Sequence, residues 1–362
     1  MLEIENFRSI NKILLKNRNY NILTGDNEVL LVDICEALDT YYNKKRKSKV
    51  DKELNDNNLM IYNYFSKEKE KISSRCVIYV GRENLEEELQ LGSKTLLNSV
   101  FNKLLKIILV TEPLLITANS LLKELNLSEA VSELNENISK YSDVKFEISM
   151  KELTASDIIK KMEINPMYQN EYLYIKSMGE FEKLKLQTGI VEQSIDTFGK
   201  NKIYIFVFPE NKIALKDMPK LRNFLFELSK ENKVIVATFS KYLFDFSTLD
   251  NINIYINSKL ANSFTEDEII NEIYENYPVL KSKNEINALL SFVLKNYLSD
   301  VLLGNIITNK FFCELDNVFI ENYEFIFLLL YYLKKIRLSY KLNLNYDPTS
   351  PFSNYIEEKL LT

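Results

Sequence analysis

Residues 20 to 41 constrain the fold more than any other stretch of the sequence. Tyr20 to Leu23 has strand character, and Thr24-Gly25-Asp26-Asn27 turns the chain. Leu30, Leu31, Ile34, Ala37, Leu38 and Tyr41 then recur at helical spacing. A strand, a glycine turn and a helix in direct succession make the setting of a phosphate-binding loop and the start of a parallel α/β layer. Later segments extend that layer. Ile203 to Phe208 and Val234 to Ala237 are continuous apolar runs rich in β-branched residues, as strands covered on both faces are. Leu221, Phe224, Leu225 and Leu228 place a helix between them. Leu2 to Phe7 alternates apolar and polar residues like a half-buried strand, and Ile13 to Leu15, Val77 to Val80 and Ile252 to Ile256 complete the set.

The remainder reads as helix. From Glu86 to about Phe198 the pattern is mainly helical, with Leu96, Leu97, Val100, Leu104, Leu105 and Ile108 as one stripe. Asp143 to Ile148 reads there as a short strand or an extended break. Thr265 and Glu268 have the spacing of a capping box, and the chain is expected to be helical from there to its end. Phe311-Phe312 and Phe325 to Leu333 read as the core of that last region, with a subunit or partner interface as the alternative. Only 7 Gly and 7 Pro occur in 362 residues, which fits few sharp turns and short loops. The expected architecture is an α/β head from residues 1–84 and 199–262, a helical insertion over 85–198, and a helical extension over 263–362.

Composition removes several kinds of chemistry. The chain has no histidine, hence no Ser–His or Cys–His nucleophile, no histidine base and no histidine-ligated metal. Cys35, Cys76 and Cys313 stand far apart among apolar neighbours, which favours buried reduced thiols over a zinc or redox site. The opening MLEIENFRSI lacks an apolar signal region, and the longest apolar runs are too short to span a bilayer. The sequence therefore predicts a cytoplasmic protein with no membrane partner. A formal net charge of −5 means that any nucleic-acid role needs basic residues gathered on one surface.

The putting-together of strand and turn also exposes what is missing. A phosphate-binding loop needs glycines whose N–H groups wrap the phosphates, a lysine for their charge and a hydroxyl for Mg²⁺. After Gly25-Asp26-Asn27 the chain instead reads Glu28-Val29-Leu30-Leu31-Val32. Leu31 stands in the lysine position, Val32 in the hydroxyl position, and Glu28 adds a charge that repels phosphate.

These residues resemble the ATPases related to SMC and RecF proteins. Leu2-Glu3-Ile4-Glu5-Asn6-Phe7-Arg8-Ser9 is similar to their opening strand, and Asn21 to Asn27 to the start of their Walker A motif. Ile203 to Glu210 resembles a Walker B strand in which Phe208-Pro209 takes the place of the Mg²⁺-holding Asp. Val234 to Ser240 resembles the strand that ends in a switch histidine, here Phe239. Three such departures together predict that ATP is not bound. Glu210, a candidate remnant of a catalytic carboxylate, then has no phosphate to act on and reads as structural.

A narrower resemblance covers about residues 1–262. Ile72 to Val80 is similar to a Ser-Ser strand, Val144 to Ile148 with Leu153 and Ile158-Ile159-Lys160 to an acidic segment and helix, and Lys202 to Phe208 to a Lys-led strand. All three belong to the ring-forming accessory proteins of type II-A CRISPR adaptation (the Csn family), here in a long form. What that resemblance implies is a degenerate P-loop ATPase-like head with a helical leg, without catalytic residues, assembled as a homotetrameric ring with calcium. Double-stranded DNA would thread the ring during spacer acquisition, alongside the integrase complex and the effector nuclease.

Two candidate sites follow. Lys44, Lys45, Arg46, Lys47 and Lys49 form the densest basic run and are candidate phosphate contacts, against the ordinary reading of a solvated helix end. Asp143 and Glu147 fall in the segment resembling the acidic calcium region. Two acids are too few for calcium without further ligands, and Lys145 between them departs from the pattern. Two other functions compete with DNA binding: a scaffold for protein partners alone, and an SMC/RecF-like ATPase, against which the missing lysine argues directly.

Overall fold

The computed structural model describes residues 1–43, 59–81, 85–108, 200–245, 248–298, 300–301, 312–314, 322–341 and 350–360, and, with short gaps, 120–139 and 159–195. The chain forms two compact units, Met1–Gly81 with Ile195–Thr362, and Arg82–Ser194.

The first unit begins with β1 (Leu2–Phe7), β2 (Ile10–Leu15), β3 (Tyr20–Gly25), α1 (Glu28–Tyr42), β4 (Met60–Asn63) and β5 (Arg75–Val80). The second unit holds α2 (Leu85–Leu89), α3 (Leu96–Ile108), α4 (Glu129–Ser139), the hairpin β6 (Met167–Tyr168) and β7 (Glu171–Tyr172), and α5 (Glu180–Ser194). The first unit then resumes with β8 (Asn201–Val207), α6 (Met218–Glu231), β9 (Lys233–Ala237), β10 (Ile252–Ile256), β11 (Lys259–Leu260), α7 (Glu266–Glu275) and α8 (Lys283–Val293). It ends with β12 (Phe312–Glu314), α9 (Tyr323–Lys335), β13 (Ser339–Lys341) and α10 (Pro351–Tyr355).

Six strands make the main sheet in the order β11-β10-β3-β9-β8-β5, parallel throughout except for β11. A smaller antiparallel sheet runs β2-β1-β4. One apolar core joins both sheets to α1, with Ile4, Ile13, Leu31, Ile34, Leu38 and Ile205 among its members. Burial against two sheets explains why α1 hides residues around most of its circumference and not along one stripe alone. α6 covers the other face of the main sheet, where Phe226 stacks on Tyr20 and Phe224 meets Phe206 edge-on. Coverage on both faces accounts for the unbroken apolar runs Ile203–Val207 in β8 and Val234–Ala237 in β9.

In the second unit, Leu85, Leu89 and Ile190 form a small core with Leu96, Leu97 and Leu186 packed against it. The buried carboxylate of Glu88 caps α3, accepting from the backbone N–H groups of Leu96 and Leu97 at 2.9 Å each. A negative charge there also suits the positive end of the helix dipole. Leu104, on the apolar stripe, is nonetheless exposed.

The structure departs from the sequence expectations at several elements. β4 lies beyond a charged stretch and pairs with β1, a strand hidden by its shortness and by Asn63 at its end. β11 is a two-residue strand folded back on β10 through Asn257 and Ser258, both at positive φ, as in a tight type I′ hairpin turn. The C-terminal region is not wholly helical. β12 and β13 pair in parallel, which needs a crossover, and α9 supplies it. Phe325 to Leu333 lies on α9 and buries every residue from Ile326 to Leu333, with Phe327 ringed by Tyr277, Tyr331, Phe352 and Tyr355. Phe312 lies in β12 and not in a helix. The Thr265–Glu268 capping box opens α7, and a second box, Ser282–Glu285, opens α8.

Among the described residues no helix is long and apolar enough to cross a membrane. Cys35 and Cys76 are buried free thiols.

Candidate functional site

In an open parallel sheet, ligands bind beyond the carboxyl ends of the strands. Here β3, β8 and β9 end at Gly25, Val207 and Ala237, and that edge is where a nucleotide would sit. The site is assembled from the segments that follow: 26–32, 208–210 and 238–240.

The first segment is closed by its own hydrogen bonds. The Asp26 N–H donates to the Tyr255 carbonyl at 3.1 Å, and its carboxylate accepts from the Asn257 N–H at 2.8 Å. Asn27 is the N-cap of α1, its side-chain oxygen accepting from the Leu30 N–H at 3.2 Å, while its carbonyl accepts from the Leu31 N–H at 3.3 Å. One of the helix N–H groups that could face an anion, that of Leu30, is thus taken by the Asn27 side chain. Glu28 is exposed in the first turn, where it repels phosphate. Leu31 is fully buried in the core joining the two sheets, and Val32 packs against that core. The residue whose place resembles that of a phosphate-reaching lysine is thus an apolar anchor.

Gly25 serves packing. A Cβ placed on it would lie 2.1 Å from the carbonyl oxygen of Tyr255 and 2.9 Å from the carbonyl carbon. Only glycine lets β10 approach so closely. The glycine of the old motif is therefore explained without a phosphate.

The second and third segments meet each other. Phe208 takes left-handed backbone (φ 44°), is nearly buried, and stacks on Phe239 with ring centroids 5.0 Å apart. These are the positions resembling the metal-holding Asp and the switch histidine. Glu210 turns back onto the same loop: one carboxylate oxygen accepts from the Thr238 hydroxyl at 2.6 Å and the Phe239 N–H at 2.8 Å. Its other oxygen, Oε2, is buried with no hydrogen-bond partner. The carboxylate thus staples two strand ends together, the structural role expected of it.

Arg8, in the turn that follows the opening strand, is exposed yet engaged by the head itself. Arg8, itself at positive φ, pairs with Asp33 at 3.2 Å and with Glu36, both on α1, and Ser9 donates to Asp33 at 2.6 Å. Asp33 is almost fully buried, so its charge is met by Arg8 and Ser9 within the head.

Lys44, Lys45, Arg46, Lys47 and Lys49 lie outside the described residues, as do Asp143 and Glu147. Among the described residues no group of three or more acids, cysteines or histidines is gathered as a metal site would require. Two contacts of the site escaped sequence reasoning. Asn27 as an N-cap was visible in principle, three residues before Leu30. The carbonyl of Tyr255 was not, since backbone proximity across so many residues leaves no local signal.

The fold is an ATPase-like α/β head, and at the carboxyl ends of its parallel strands Leu31, Phe208 and Phe239 pack within the protein. Among solved structures the chain is similar to Stu0660 of Streptococcus thermophilus, at 14% identity and a TM-score of 0.59, over 100% of this chain and 99% of that one. That likeness shows a shared fold along the whole chain. Looser similarities are to an SMC head bound to the C-winged helix domain of ScpA (12% identity, TM-score 0.32, 70% of this chain and 92% of that one) and to a nucleotide-free ATP-binding cassette from an ABC transporter (11% identity, TM-score 0.33, 77% and 96%). No protein-family model and no curated protein matches the chain.

Proposed function

We propose that this chain is a non-catalytic, cytoplasmic protein that binds double-stranded DNA through its ends and assists CRISPR spacer acquisition. The observation that carries the non-catalytic part is the closed edge of the sheet, where Leu31 is core and Phe208 stacks on Phe239. A head that keeps the architecture of an ATPase while filling its nucleotide site is suited to holding and assembling. The sequence resemblance to ring-forming CRISPR-adaptation proteins supports the remainder: a homotetramer, calcium, and work beside the integrase complex and the effector nuclease. Lys44, Lys45, Arg46, Lys47 and Lys49 are the proposed phosphate contacts, and Asp143 and Glu147 the proposed calcium ligands, to be completed by further oxygens.

A closed ring must thread its substrate, so the test is gel-shift competition between a linear duplex and its relaxed circle of matched length, with calcium present. The linear form should bind and the circle should compete poorly. Affinity should fall with salt at a slope of about 0.9 per phosphate contacted, and reversing the charge at Lys44, Lys45, Arg46 and Lys47 should lower that slope. Equal competition by the circle refutes threading. Binding to neither form at low salt leaves a scaffold for protein partners, which the net charge of −5 would suit.

A further inference from the structure

A cleft of about 290 Å³ opens beside α6, the turn after β9 and the π-helical turn Leu294–Leu298 that follows α8. Arg222, Lys241 and Lys295 bring one positive charge from each of these three segments, with Asn223 and Tyr242 between them, and among the described residues no carboxylate lines the cleft. In a chain of net charge −5, this local balance runs against the global one.

The cations are not placed alike. The Arg222 guanidinium lies 5.3 Å over the Phe226 ring, which stacks on Tyr20 at 4.7 Å, so a layered contact fixes its direction. A positioned guanidinium offers paired donors to a phosphate, and lysines add point charges. Lys241 pairs with Asp300 at 3.4 Å, but both side chains are 43% exposed, and so open an ion pair holds the lysine weakly. Tyr242 leaves much of its ring exposed, a flat face on which a planar base can stack. The volume suits one small ligand and is too small to admit a duplex.

We propose that this cleft binds the phosphate of a single nucleotide, with the base against Tyr242. The nucleotide is either free or the terminal unit of a single strand, the phosphate chemistry being shared. The site is separate from the closed edge of the sheet, and the proposal does not depend on duplex binding.

The test uses the whole protein and the variant Arg222→Gln/Lys295→Gln. Adenosine monophosphate and a short 5′-phosphorylated single strand are titrated at low salt, with the thermal midpoint recorded in parallel. At least one probe should bind the natural sequence, and the double variant should weaken it about tenfold or more at an unchanged midpoint. Binding of adenosine monophosphate alone assigns a free nucleotide, binding of the strand alone assigns a strand end, and equal binding of both supports a site for the phosphate-bearing unit they share. If the midpoint falls, Lys295→Gln alone, at an exposed position, should still weaken binding severalfold. Failure of both probes to bind the natural sequence, or equal binding by the variants, overturns the proposal. Linear duplex titrated beside them separates the two readings, since its binding should survive Arg222→Gln/Lys295→Gln and its loss in the natural sequence would sink only the earlier one.

Discussion

The rings of Phe208 and Phe239 stack with centroids 5.0 Å apart and planes 23° from parallel, bridging the ends of two neighbouring strands. The contact lies beyond the carboxyl ends of β8 and β9, and Phe208 there takes a left-handed backbone that a phenylalanine seldom adopts. Strain of that kind persists only where surroundings enforce it, at about 1–3 kcal/mol.

The stack predicts a coupling. Phe208→Ala should cost about 3–5 kcal/mol and Phe239→Ala less, because Phe239 is only half-buried. In a double-mutant cycle read by urea unfolding, the two should couple by about 0.5–1.5 kcal/mol. Additive losses would mean that the rings act independently.

Gly25 gives a second prediction. A glycine kept for phosphate would tolerate alanine in the absence of ligand, whereas one kept for packing would not. With the new Cβ set against the Tyr255 carbonyl, Gly25→Ala should destabilise the protein by about 1–3 kcal/mol or more. An unchanged urea midpoint would remove the packing account.

The amino end of the sheet supplies a pH prediction. Burial, helped by the nearby Arg75 charge and opposed by Glu70, pulls the Lys233 ammonium down to about 8. Its unfolded value is near 10.5, so between about 8 and 10.5 the unfolded chain binds more protons and stability rises with pH. Below that window both states are charged and the full penalty stands. Lys233→Met should therefore raise the unfolding midpoint at pH 7, where Arg75 still donates to Asn17, and the gain should shrink as pH passes through the window. A gain that does not change with pH would contradict this.

Much of the first unit was legible because its signals are local. The Tyr20–Asn27 strand and turn, the β8–α6–β9 unit and the Thr265 box each rest on residues within a few positions of one another. Ser282 and Glu285 carried the same signal for α8. β4, β12 and β13 were hidden because strands of three or four residues show too little alternation to stand out. At the site, the apolar Leu31 and Val32 after the glycine turn, and Phe208-Pro209 after β8, were readable residue by residue. That Phe208 and Phe239 stack on each other was not, since it depends on two strand ends being neighbours. The basic cleft likewise draws Arg222, Lys241 and Lys295 from segments with no sequence relation.

The central claim is that the nucleotide site is closed by Leu31, Asn27 and the Phe208–Phe239 stack. Isothermal titration of the protein with ATP and Mg²⁺, using Arg222→Gln/Lys295→Gln to silence the basic cleft, tests it most directly. The account predicts no heat beyond dilution. A saturable signal with a dissociation constant in the micromolar range would contradict it.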